Sequence, residues 1–165
     1  MRRWTWTILA AALVSAAGAG PAHAARPSAT AISVATDHAG ALLSTGTVRC
    51  WGANDRGQLG DGSRRRSLTA VAVHGLTDAK AIGTGWAATC AVLSGGTVEC
   101  WGDNRNGELG DATKITRPLP VPVSGVTDAV AVTVNEANGS TACSGTAHGR
   151  GASARSRSPA SATPR

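Results

Sequence analysis

A fifty-residue internal repeat constrains this chain more than any other feature. Gly46-Thr47-Val48-Arg49-Cys50-Trp51-Gly52 recurs as Gly96-Thr97-Val98-Glu99-Cys100-Trp101-Gly102. The same offset maps Asn54 on Asn104, Gly57 on Gly107, and Leu59-Gly60-Asp61 on Leu109-Gly110-Asp111. It also carries Thr77-Asp78-Ala79 onto Thr127-Asp128-Ala129 without a gap. Self-similarity at this period means stacked supersecondary units, each burying its apolar face against a neighbour.

Two whole units are legible, 31–80 and 81–130, followed by an incomplete third at 131–143. Composition argues against helices. The 165 residues include 21 Gly and 5 Trp but neither Phe nor Tyr, so a dense bundle lacks its usual large side chains. Val, Thr and Trp between glycine turns suit short strands. In the second unit the pattern predicts strands at Lys80–Gly85, Thr89–Leu93, Thr97–Trp101 and Leu119–Val123. Ser94-Gly95-Gly96 reads as a hairpin turn, and Pro118, Pro120 and Pro122 put the last strand at an edge or make it irregular. The fold class expected is all-β, a partial β-propeller of two to three blades of short antiparallel strands.

The block Gly-x-Val-x-Cys-Trp-Gly-x-Asn-x-x-Gly-x-Leu-Gly-Asp, at Gly46–Asp61 and again at Gly96–Asp111, resembles the repeat of the regulator-of-chromosome-condensation propellers. Its Cys-Trp-Gly version is typical of bacterial, often exported, members. The resemblance covers about Ala31 to Val132. It implies blades that normally close a ring of about seven. With two units and part of a third, the chain is expected to self-associate, to pair with another protein, or to be a truncated or frameshifted propeller fragment without a function of its own.

Before the repeats, residues 1–24 read as a secretory signal peptide, with its helix. Arg2 and Arg3 precede the apolar run Ile8–Gly20, and Ala22-His23-Ala24 is a small-x-small cleavage site. An uncleaved anchor is the alternative. A short linker, 25–30, leads into the first repeat, and 144–165 reads as a disordered Arg/Ser/Ala-rich tail. The reading is a secreted protein with no stable membrane insertion.

The net charge of +6 belongs to the chain ends. Arg2, Arg3 and Arg26 lie at one end and Arg150, Arg155, Arg157 and Arg165 at the other, while residues 31–149 hold nine basic against ten acidic side chains. No nucleic-acid-binding face is therefore expected.

Chemistry-bearing constellations are sparse. Asp103-Asn104-Arg105-Asn106-Gly107 superficially suggests a calcium loop, but neither copy ends in a bidentate glutamate, and turn capping explains Asn and Asp better. Asp61 and Asp111 recur at one repeat position, where a catalytic pair should be asymmetric. His38 and His74 do not recur, and no Cys-x-x-Cys is present. We expect no enzyme, no cofactor and no metal. An exported enzyme with a site in the blade loops is the minor alternative.

Cys90 and Cys100, ten residues apart, fall opposite each other if the hairpin turns at Gly95, close enough for a disulfide. Both also suit buried thiols acting as small apolar residues. Cys50 faces Gly40 in the equivalent hairpin, and Cys143 is out of the repeat frame. Trp51 and Trp101 read as blade core. The unmatched Trp86 is a candidate binding contact, as are Arg64, Arg65 and Arg66 and the turns Asn54–Arg56 and Asn104–Asn106. The expected function is an exported, non-catalytic protein–protein interaction module whose partner is unidentified.

Overall fold

The computed structural model describes residues 26–134 and the backbone of one further strand, Cys143–Ala147. The expected signal peptide and the tail beyond residue 147 lie outside the described residues. Ten strands follow one another: β1 (Ala29–Val34), β2 (His38–Leu43), β3 (Val48–Gly52), β4 (Ser67–Ala72), β5 (Ala79–Thr84), β6 (Ala88–Leu93), β7 (Val98–Gly102), β8 (Arg117–Pro122), β9 (Ala129–Val134) and β10 (Cys143–Ala147). The first eight form two four-stranded antiparallel meanders, β1-β2-β3-β4 and β5-β6-β7-β8, and β9 pairs with β10. These are two propeller blades and the start of a third. The four strands expected in the second unit are all present, each shifted by one or two residues.

Each blade turns its central hairpin on a glycine. Leu93 donates to the Thr97 carbonyl and Gly96 to that of Leu93, with Gly96 at φ 79°. This is the three-residue loop in which the last position must be left-handed, a conformation glycine adopts without steric cost. Gly46 does the same between β2 and β3 at φ 79°. The turn fixes the register, so Cys90 pairs with Cys100 and Gly40 with Cys50.

Between the blades lies the core. Leu42, Val48, Leu59 and Val73 of blade 1 pack with Ala91 and Trp101 of blade 2. Val92, Val98 and Leu109 of blade 2 pack with Ala129 and Val132 of β9. The second strand of each blade is buried along almost its whole length. β6, with blade 1 on one side and β9 on the other, has room only for small residues, hence Ala-Thr-Cys-Ala-Val. That is why the chain manages without Phe or Tyr. Of the outermost strands, β4 is largely exposed and β8 mostly half-buried, and β8 is an edge strand with a register shift between Cys100 and Gly102. Three prolines are tolerated there because one side of the strand needs no ladder donors.

The third unit departs from the repeat frame in its register. Val34 pairs with Ala39 and Thr84 with Thr89, but Val134 pairs with Cys143, so the β9–β10 connection is four residues longer. Strand pairing consequently runs to Ala147, into the first residues of the segment read as tail. An insertion of this kind slides the pattern out of a fixed fifty-residue comparison although the backbone still pairs.

Candidate protein-interaction surface

Alternation of strand direction in each meander gathers the β1–β2 and β5–β6 turns and the β3–β4 and β7–β8 loops at one end of the blades. The long loops, residues 53–66 and 103–116, are built around an asparagine. Asn54 Nδ2 donates to Asp61 Oδ1 at 3.2 Å, to the Ser63 carbonyl at 3.2 Å and to the Arg65 carbonyl at 3.1 Å. Its Oδ1 accepts from the Leu59 amide at 2.9 Å. Asn104 repeats the set with Asp111, Thr113, Ile115 and Leu109. Both asparagines are 0% exposed. The sequence offered both as partner contacts; in the fold each carboxamide is buried and closes its own loop.

The loop carboxylates are tied in the same way. Asp61 accepts from the Ser63 amide and hydroxyl, and Asp111 from Thr113 and from Arg117 Nε at 3.0 Å. Burial alone would raise the Asp111 pKa, but the Thr113 and Asn104 hydrogen bonds and Arg117 hold it below the usual carboxylate range. Asp103, 1% exposed, figured in the sequence only within the superficial calcium-loop pattern. Burial opposes its ionisation, yet the bidentate Arg105 guanidinium, 2.7 Å away at its nearest nitrogen, and the Thr116 hydroxyl lower its pKa. Glu108 accepts from the backbone and side chain of Asn106. Glu99 is pushed the other way, first by burial and then by the Asp78 carboxylate. Among the described residues, no three His, Cys, Asp or Glu side chains cluster as metal ligands would.

His38 is buried on β2, its Nε2 2.9 Å from Thr89 Oγ1 of blade 2. Thr89 and the Trp101 indole both donate to the Gln58 carbonyl, at 2.9 and 3.0 Å. This bridge holds the loop of blade 1 on the face of blade 2. Its Trp is repeated in the sequence, whereas His38 and Thr89 face Ala88 and Ala39 in the repeat comparison and so left no signal there. Cys90 and Cys100 form a disulfide across β6 and β7, with their Cα atoms 4.0 Å apart. Cys50 is a free, buried thiol, pushed up to about 12 by burial and then by the Asp61 charge.

What remains on the surface at this end is small and specific. Trp86, in the β5–β6 turn, is 40% exposed. Arg64, Arg65 and Arg66 are exposed on the β3–β4 loop. Arg56 is part-exposed, its Nε 3.9 Å from Asp103 of the next blade, and Asn106 is exposed on the β7–β8 loop. No described helix is long and apolar enough to cross a membrane.

Residues 30–58 and 79–108 match the profile of the regulator of chromosome condensation (RCC1) repeat. No curated protein sequence is significantly similar to the chain. Among solved structures it is similar to human WBSCR16, with a TM-score of 0.62 and 21% identity over 73% of this chain and 31% of that one. It is also similar to Prp20p of Saccharomyces cerevisiae, described for its binding to Gsp1p and histones, with a TM-score of 0.56 and 16% identity over 61% and 26% of the two chains. The same yeast protein bound to Kap60 aligns with a TM-score of 0.52 and 20% identity over 66% and 28%. The chain thus spans about a third or less of the length of these proteins.

Proposed function

We propose that the chain, two stretches of which match the RCC1 repeat and whose blades share the propeller fold, is a member of the RCC1-repeat β-propeller family and acts as an exported, non-catalytic protein–protein interaction module. One observation carries the reading: the polar groups of the blade loops are consumed inside those loops, while Trp86 and the Arg64–Arg66 run project from the same end. Such an end is a rigid platform with an aromatic anchor and a cationic rim. Yeast Prp20, built on the same fold, binds proteins. Export is supported by the Arg2–Ala24 segment and by the Cys90–Cys100 disulfide, which suits an oxidising compartment.

The test is affinity capture from the medium and cell envelope of the producing cell, using the chain from Ala25 onward. A partner retained by the native chain should be lost with Trp86→Ala or with Arg64, Arg65 and Arg66 all changed to Ser. A partner held equally by these variants would overturn the loop assignment. N-terminal sequencing of secreted material should begin at Ala25.

A further inference from the structure

We infer that the loops leading into β4 and β8 are substrate-like inhibitory loops for serine proteases that cleave after arginine or lysine, with Arg64 and Lys114 as the residues that enter the specificity pocket. The inference rests on the reading of the blade-loop end as the binding surface and names the class of partner it takes.

Asn54 brackets a single residue between two held carbonyls. Its Nδ2 donates to the Ser63 carbonyl at 3.2 Å and to the Arg65 carbonyl at 3.1 Å, on either side of Arg64. In blade 2, Asn104 Nδ2 holds the Thr113 and Ile115 carbonyls, at 3.2 and 3.1 Å, on either side of Lys114. The bracketed residue is basic in both loops. Both are exposed, and among the described residues neither forms an ion pair. Their own main-chain N–H and C=O groups make no hydrogen bond among the described residues. The amides before and after them are tied: Ser63 and Thr113 donate to Asp61 and Asp111, and Arg65 and Ile115 to the Ser63 and Thr113 hydroxyls. Each loop thus offers one unpaired residue in a clamped frame.

That frame suits a protease cleft. Residues 64–66 and 114–116 run without a turn into β4 and β8, and none has a positive φ. A serine protease takes its substrate as an extended segment, binds the reacting carbonyl through main-chain N–H donors, and selects a basic side chain with an acid in its pocket. Holding the loop in that form beforehand removes much of the ordering cost of binding. The exposure does not come from an uncovered blade face: blade 1 packs against blade 2, yet Lys114 and Ile115 stay exposed beside it.

The asparagine also makes the loop an inhibitor and not a substrate. The protease serine hydroxyl adds to the Arg64 carbonyl, and the C–N bond to Arg65 breaks. The Arg65 nitrogen takes the proton and leaves as an amine, and Arg64 remains as an ester on the protease. In a flexible chain the amine departs, and water hydrolyses the ester to the Arg64 carboxylate and the free serine. Here Asn54 keeps the Ser63 and Arg65 carbonyls together across the break, and β4 stays paired with β3. The amine therefore re-forms the peptide bond faster than water removes the ester.

The probe is trypsin, assayed on a small arginine amide substrate with the full chain added. Competitive inhibition is expected. Cleavage within the blades should be slow, confined to the bonds after Arg64 and Lys114, and should stop at a mixture of intact and cleaved chain, read by mass spectrometry. Arg64→Leu combined with Lys114→Leu, both at exposed positions, should weaken the inhibition at least about a hundredfold and confer inhibition of chymotrypsin, whose pocket is apolar. A merely structural role of these side chains would not move specificity from one protease to the other. Complete digestion of the native loops without inhibition would overturn the inference, as would trypsin inhibition that the double variant retains. Failure here is separate from failure of the loop-end reading, since a partner captured by the native chain and lost with Trp86→Ala stands whatever trypsin shows.

Discussion

The indole N–H of Trp101 in blade 2 donates to the main-chain carbonyl of Gln58 in blade 1 at 3.0 Å, and the Thr89 hydroxyl donates to the same oxygen at 2.9 Å. A buried carbonyl with two donors tolerates the loss of one. Trp101→Phe and Thr89→Val should each cost about 1 kcal/mol, while the double variant leaves the carbonyl unsatisfied and should exceed the sum by about 1 kcal/mol. Urea denaturation of the four proteins measures the coupling.

Asn54 has the opposite character, because no second group shares its work. Asn54→Asp would bring a carboxylate up to Asp61 and to the Ser63 and Arg65 carbonyls, all of which accept. A loss of about 3 kcal/mol is expected, against less than about 0.5 kcal/mol for Arg64→Ser on the exposed part of the same loop. Thermal denaturation of both variants checks this contrast.

Blade 1 is one residue short of a second disulfide. Gly40 faces Cys50 as Cys90 faces Cys100, and a Cβ at Gly40 would lie 3.2 Å from Cys50 Sγ but 2.7 Å from Ile82 Cδ1. The blade 2 hairpin meets Val132 at the position of Ile82, one methylene smaller. Gly40→Cys combined with Ile82→Val should therefore oxidise readily, and Gly40→Cys alone much less. Mass spectrometry of the unreduced proteins distinguishes them.

Burial raises the Cys50 pKa to about 12, against about 9 in the unfolded chain. The unfolded state thus loses its proton first. Stability from this group is intact below pH 9 and is lost as pH rises from about 9 to about 12. Cys50→Ser should flatten that alkaline decline. In the native chain at pH 8, Cys50 should resist iodoacetamide. Unfolded without reduction, the chain should take label at Cys50 and Cys143 but not at Cys90 or Cys100.

Ala112 sits at φ 61°, where its repeat counterpart Gly62 has φ 83°. A side chain there costs about 1 kcal/mol in the left-handed region, partly offset by the greater freedom of glycine when unfolded. Ala112→Gly should stabilise the chain by about 0.5 kcal/mol, read as a small rise in Tm.

Much of the blade was legible because its determinants are local. Glycines at 46 and 96 set the hairpin turns, the turns set the register, and the register set Cys90 opposite Cys100. The same locality hid the loops' inner logic. Asn54 and Asn104 stood out as polar residues in exposed-looking turns, and only the two main-chain carbonyls and one carboxylate converging on each carboxamide show why they are buried. Asp103 was weighed only as part of a calcium-like loop, and its pairing with Arg105 two residues on was not drawn because blade 1 has Ala53 at its place.

The sequence by itself determined the repeat, the strands and their pairing within each blade, since these follow from spacing, turn chemistry and alternation. Tertiary structure decided which copy of each repeated residue is covered. Trp51 and Trp101 stand in nearly identical sequence, yet one is half-buried with an idle N–H and the other is wholly enclosed. The difference is whether a neighbouring blade lies against that face. Burial between blades depends on which surfaces meet, and a repeat that reads alike at both positions does not encode its neighbour.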